Sequence, residues 1–156
     1  MQYTVIKKYN IERKTITELG KFSILWNIFE KDYFQKKCCP HKIKNYQNYN
    51  ITKSLKYNCE KFINVLHAYL GTSKSTITRN IIKATLFDNS DEYHTEIEYV
   101  LKNKCDGTKL LIGTILIILR LRNNMFHGIK ECLNINNQLQ LFISANIILN
   151  KLIEKR

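Results

Sequence analysis

The feature that most constrains this chain is its most apolar run, Leu110 to Leu119, together with the polar stretch directly after it: Arg120, Leu121, Arg122, Asn123, Asn124, Met125, Phe126, His127 and Gly128. The run stops at Arg120, short of the ~20 residues a membrane helix needs. As a helix from Thr108 to His127 its surface is apolar almost all round, so it belongs inside a bundle of other helices. Its last two turns then bring polar groups to the end of a buried element. On a regular helix Arg120, Asn123, Asn124 and His127 share one face at spacings of three, four and seven. Arginine and amide groups are costly to bury unless paired. Either the helix end emerges into solvent, or a site is built there. The plain structural reading is an ordinary helix terminus, with Gly128 at the left-handed C′ position and His127 complementing the helix dipole.

The second outcome gains weight from a resemblance. Arg122-Asn123-Asn124-Met125-Phe126-His127 has four residues between arginine and histidine, with a polar residue first and a glycine after. It resembles the signature of the HEPN superfamily, in the wording of its prokaryotic defence and toxin–antitoxin branches. Leu25-Trp26 and Phe29-Glu30 in a long opening helix are loosely similar to many such domains. The resemblance implies a helical bundle, often dimeric, and metal-independent ribonuclease activity without a cofactor. It covers about ten residues, so the rest of the chain has to fit on its own terms.

At 156 residues the chain is long enough for one domain with its own core, spanning 1–156. Met1 to Gly20 has no apolar h-region or cleavage site, and the five cysteines have no framework spacing. Both suit a reducing cytoplasm. The net charge is +12 and uneven: residues 1–87 carry 16 Lys and Arg against 5 Asp and Glu, residues 88–156 nine against eight. A basic half points to a polyanionic partner such as RNA. Lysine outnumbers arginine 20 to 5, and the richness in Ile, Asn and Tyr gives a duller cause, an AT-rich coding sequence.

Apolar periodicity predicts six helices. The first runs over 15–36, opened by Thr15 and Glu18 as a capping box and striped by Leu19, Phe22, Trp26, Phe29 and Tyr33. Residues 37–53, with the only proline, read as an exposed basic loop. The second spans 54–70, with Leu55, Cys59, Phe62, Leu66 and Leu70 on one face and Gly71 closing it. A third is expected over 76–87. A fourth over 90–103 is capped by Ser90 with Asp91 and Glu92 in its first turn. The central helix over 108–127 comes after the Asp106-Gly107 turn. The last, over 138–155, uses Leu141, Ile148 and Leu152. The expected class is all-α, an up-and-down bundle of about five helices.

Other chemistry is weaker. Cys38, Cys39 and His41 lack a second ligand pair, so no metal site is expected. Gly71 to Thr76 lacks the glycines of a phosphate loop. His67 and His94 read as surface or boundary histidines, and Glu30 as an exposed helical glutamate, although it would face the site if its helix lay alongside the central one.

RNA scission without metal needs a base for the 2′-OH proton, a cation for charge on phosphorus and an acid for the leaving oxygen. His127 titrates near neutrality and is the base or acid. Arg122 binds phosphate through its planar fork. Asn123, at i and i+4 with His127, is placed to hydrogen-bond the imidazole or the substrate, and Arg120 is a second phosphate ligand. Five helical residues turn through about 500°, leaving Arg122 roughly 140° from His127. The helix loosens, or the arginine wraps round, or a homodimer joins two motifs in one composite site. The expected partners are RNA, a second copy of the chain, and a cognate antitoxin or regulatory protein. The competing reading is a non-catalytic nucleic-acid- or nucleotide-binding scaffold dimer. A third is a protein that docks its basic half on an acidic partner surface.

Overall fold

The first helix begins at Arg13, two residues before the capping box expected to open it, in a computed structural model that describes residues 9–35, 37–86, 94–125 and 135–156. Among these residues the chain is helical with no strand. The described α-helices, in chain order, are α1 Arg13–Phe34, α2 Pro40–Asn45, α3 Lys53–Leu70, α4 Arg79–Leu86, α5 His94–Lys102, α6 Gly107–Asn124 and α7 Leu139–Ile153, the last preceded by a 3-10 turn, Ile135–Gln138.

The expected capping box does not form. Glu12 is the N-cap, Thr15 is fully buried, and its hydroxyl has no hydrogen-bond partner among the described residues. The Glu18 carboxylate turns away from Thr15, accepting from Lys21 Nζ and, at 2.9 Å, from Asn146 Nδ2 of α7. The same amide donates to the Glu18 carbonyl at 3.0 Å. A long-range tie between helices has won over the local cap. α1 stops at Phe34 because Gln35 takes a left-handed φ of 53°.

The apolar stripes do what their spacing demands. Phe22, Trp26 and Phe29 of α1, and Leu55, Cys59, Phe62 and Leu66 of α3, are buried, as are Leu141, Ile148 and Leu152 of α7. α7 packs against both α1 and α3, with Phe22 meeting Phe142 edge-on at 5.3 Å and Tyr33 Oη donating to the Leu152 carbonyl at 2.8 Å. α3 also reaches α6, which lies against α5, α2 and α4. Thr52 caps α3 by accepting from Leu55 N, and Gly71 ends it at φ 64°, a conformation that costs glycine nothing.

Three sequence expectations need correction. Residues 37–53 are not simply an exposed loop: Pro40 takes the first turn of α2, Ile43 is fully buried, and Tyr46 and Tyr49 pack on the core. Periodicity could not show this, because a single apolar residue anchors a six-residue helix. The third helix starts at Arg79 rather than Thr76, since Thr78 Oγ1 accepts from Ile81 N and sets the start. His67 and His94 are buried. His67 Nε2 donates to the Leu101 carbonyl at 3.0 Å, leaving Nδ1 to accept from Thr72 Oγ1 at 3.1 Å. The expected Ser90 cap, with Asp91 and Glu92, lies outside the described residues.

Candidate functional site: the end of the central helix

α6 is the buried element the apolar run requires. Asp106 caps it, its carboxylate accepting from Lys109 N at 3.0 Å. Leu110, Leu111 and every residue from Gly113 to Leu119 are buried, and Thr114 satisfies its hydroxyl by donating to the Leu110 carbonyl at 2.7 Å. Gly113 lets α5 approach: a Cβ there would lie 2.2 Å from Val100 Cγ2. So close a crossing is open only to glycine.

After Leu119 the surroundings change. Leu121 stays buried, but Arg120, Arg122, Asn123, Asn124 and Met125 are half-buried. Among the described residues the regular helix runs to Asn124, with Met125 N donating to the Leu121 carbonyl at 3.1 Å. His127 and the expected C-terminal Gly128 lie outside the described residues. Of the four predicted site residues, Arg120, Arg122 and Asn123 lie half-buried in the last turns of the helix, with Arg120 and Arg122 pointing about 160° apart around its axis. Arg122 Nη1 donates to Asn123 Oδ1 at 3.1 Å, so the amide already helps hold the guanidinium.

The segment leading into α2 comes near Arg122 as well. Glu30 is half-buried rather than exposed, and its carboxylate accepts from Cys38 N at 3.0 Å. That bond folds the chain back onto α1, and α2 then rests on α6. The Cys38 thiol is pushed up to about 12, first by burial and then by the charges of Glu30 and Cys39, while the Arg122 guanidinium and Lys42 pull it down. Glu30, Cys38 and Arg122 thus share one electrostatic neighbourhood. A thiol raised in this way carries little thiolate at neutral pH, which disfavours Cys38 as a nucleophile. Sequence reasoning underrated Glu30. Pro40, suited to a first helical turn, could have signalled that a short helix starts just after α1, but no local pattern tied Glu30 to it.

Beside this neighbourhood, Tyr33, Phe34, Tyr46 and Tyr49 form a ring cluster with centroids 4.6–6.2 Å apart. Burial raises both Tyr33 and Tyr49 above the ordinary tyrosine value. Tyr49 Oη donates to the Ile43 carbonyl, and Lys42 Nζ to the Phe34 carbonyl at the end of α1. The result is a basic and aromatic shoulder with an open depression of about 380 Å³ lined by Tyr33, Phe34, Gln35, His41, Lys42, Asn45 and Tyr46.

Among the described residues no three His, Cys, Asp or Glu side chains come together as metal ligands, and no helix is long and apolar enough to cross a membrane. His41, the histidine beside the Cys38-Cys39 pair, is instead engaged with Asn45. No protein-family model, curated protein or solved structure matches the chain.

Proposed function

We propose that this chain is a HEPN-like, metal-independent endoribonuclease that works as a homodimer in the cytoplasm of a prokaryotic defence or toxin–antitoxin system. One observation carries the reading. Arg122 and the Asn123 amide that holds it, together with Arg120, are half-buried in the last turns of an otherwise apolar helix, in the stretch whose spacing to His127 resembles the family signature. A basic aromatic shoulder beside them suits a single-stranded polyanion.

In this mechanism Arg122, with Arg120 in support, holds the scissile phosphate and stabilises charge as it builds on the non-bridging oxygens. His127 takes the 2′-OH proton. The 2′-oxygen bonds to phosphorus, the bond to the 5′-oxygen breaks, and that oxygen gains a proton. The products are a 2′,3′-cyclic phosphate and a 5′-hydroxyl, with no metal or cofactor consumed. One imidazole cannot be base and acid in the same step, so His127 of a second copy supplies the other proton transfer. A cognate antitoxin or regulatory protein keeps the site in check.

The test is incubation of the purified protein with total RNA in excess EDTA. Wild type should leave cyclic-phosphate ends, and His127→Ala should leave the RNA intact. Arg122→Lys should lose about 100-fold in rate, because an ammonium replaces the two-pronged fork. Cleavage by wild type and His127→Ala alike would sink the assignment. Intact RNA in both lanes with salt-dependent RNA binding would move the chain to the non-catalytic binding reading.

A further inference from the structure

Gly20 has no use for its missing side chain among the described residues. It lies in the interior of α1 without a positive φ, it is exposed, and a Cβ on it would meet nothing within 4 Å. Glycine in mid-helix weakens the helix relative to alanine. Gly113 in α6 is explained by the approach of Val100. Gly20 offers the same room for a close approach, and it offers it outward.

Its neighbours on that surface are apolar. Ile16, Ile24 and Ile28 stand at four-residue steps with it and are 37%, 62% and 39% exposed. Each step turns through about 400°, so the row drifts by about 40° at a time. It forms the inclined i±4 ridge that seats in a neighbour's groove when helices pack. Gly20 is a notch in this ridge. Charge on the same exposed surface comes from Arg13, Lys14, Lys21 and Lys31, with Thr17 and Asn27 between them. Apart from the N-cap Glu12 no exposed residue there is acidic, since Glu18, Glu30 and Asp32 are half-buried and Glu18 is paired with Lys21.

We propose that the outer face of α1 docks an acidic amphipathic helix of a partner protein. The partner's backbone crosses close over Gly20, its apolar stripe covers Ile16 and Ile24, and its carboxylates reach the cations along the helix. Charge decides against a second copy of the chain, which would set this cationic face against itself. A lipid surface would draw on the same cations and isoleucines, but its hold scales with apolar area, and Gly20 supplies none. A helix backbone, by contrast, comes close only where a side chain is missing. The surface is read from α1 itself and does not rest on the ribonuclease reading.

A labelled peptide of three Leu-Glu-Glu-Ala-Leu-Glu-Glu repeats, titrated with the full chain at about 0.15 M salt and followed by fluorescence anisotropy, tests the proposal. It should saturate with a Kd on the order of 10 µM. A scrambled peptide of the same composition keeps the charge, loses the stripe and should bind at least about tenfold more weakly. Gly20→Ala separates docking from folding. It should raise the thermal midpoint by about 2–4 °C, because alanine is the better helix former. It should also weaken the peptide about tenfold, because the added methyl holds the two backbones apart. Ile24→Glu should abolish binding at an unchanged midpoint. Four results would overturn the proposal: no saturation by about 1 mM, equal binding of the scrambled peptide, a Gly20→Ala affinity equal to wild type, or a Gly20→Ala midpoint below it. A dimer in analytical ultracentrifugation that Ile24→Glu makes monomeric would give the face to a second copy instead. Tighter binding to phosphatidylglycerol vesicles than to the peptide would give it to lipid.

Discussion

Gly113→Ala tests the architecture where α5 crosses α6. The new Cβ would lie 2.2 Å from Val100 Cγ2, 2.9 Å from its Cβ and 3.4 Å from Cγ1. Favourable carbon contacts lie near 3.5–4.0 Å. Rotating Val100 moves the methyls but not its Cβ, and β-branching leaves few rotamers in a helix. The helices must therefore part, and Val100, Leu111 and Ile115 are all buried close by. Overpacking of this kind costs about 1–3 kcal/mol. Replacing a mid-helix glycine by alanine returns about 0.5–1 kcal/mol of backbone propensity. The net loss spans roughly 0–2.5 kcal/mol, centred on about 1.2 kcal/mol. With a urea slope of about 2 kcal/mol/M, the unfolding midpoint followed by circular dichroism should fall by about 0.6 M. Adding Val100→Ala should relieve part of the clash, so the double variant should be less destabilised than the sum of the singles by about 1 kcal/mol. A Gly113→Ala midpoint at or above wild type would show that α5 and α6 do not cross this closely.

Three further outcomes are expected besides those of the nuclease and docking experiments. Burial lowers the folded-state pKa of His67 below its ordinary 6.5, so the unfolded chain binds the extra proton. Stability is then fully present above about pH 6.5 and lost as pH falls toward the folded value, at up to about 1.4 kcal/mol per unit; unfolding titrations from pH 8 to 5 should show this slope in wild type and a flatter one in His67→Gln. Asn146→Ala cuts both bonds from α7 to Glu18 and should cost about 1–2 kcal/mol in the same urea assay, an unchanged midpoint meaning the tie is absent in solution. Cys38, pushed up to about 12, should react with a disulfide reagent at pH 8 at least about 100-fold more slowly than free cysteine, and Glu30→Gln should speed it; a fast native Cys38 would show that the thiol is not buried beside Glu30.

Helix positions were readable from the sequence because each long helix carries its own signals. Stripes such as Phe22-Trp26-Phe29 and Leu55-Cys59-Phe62-Leu66 are buried as a 3.6-residue period requires, and Gly71 closes α3 as a left-handed residue should. The burial of α6 was equally legible, since a helix without a polar face has nowhere else to go. Arg120, Arg122 and Asn123 are half-buried at its end because they follow the apolar run in the chain.

What only the tertiary structure decided is which partner each polar group takes. Glu18 had the spacing of a cap and instead serves Asn146, 128 residues away, because a buried amide needs an acceptor more than an exposed helix start needs a second bond. Glu30 read as a surface glutamate and is half-buried against Cys38 N, since the segment before α2 turns back onto the end of α1. His67 had the look of a boundary residue until the Leu101 carbonyl, 34 positions away, came within reach of its ring. Apolar burial is set by position along one helix and survives in the sequence as a period. Hydrogen bonds and charge contacts are set by where other helices arrive, and no local pattern records that.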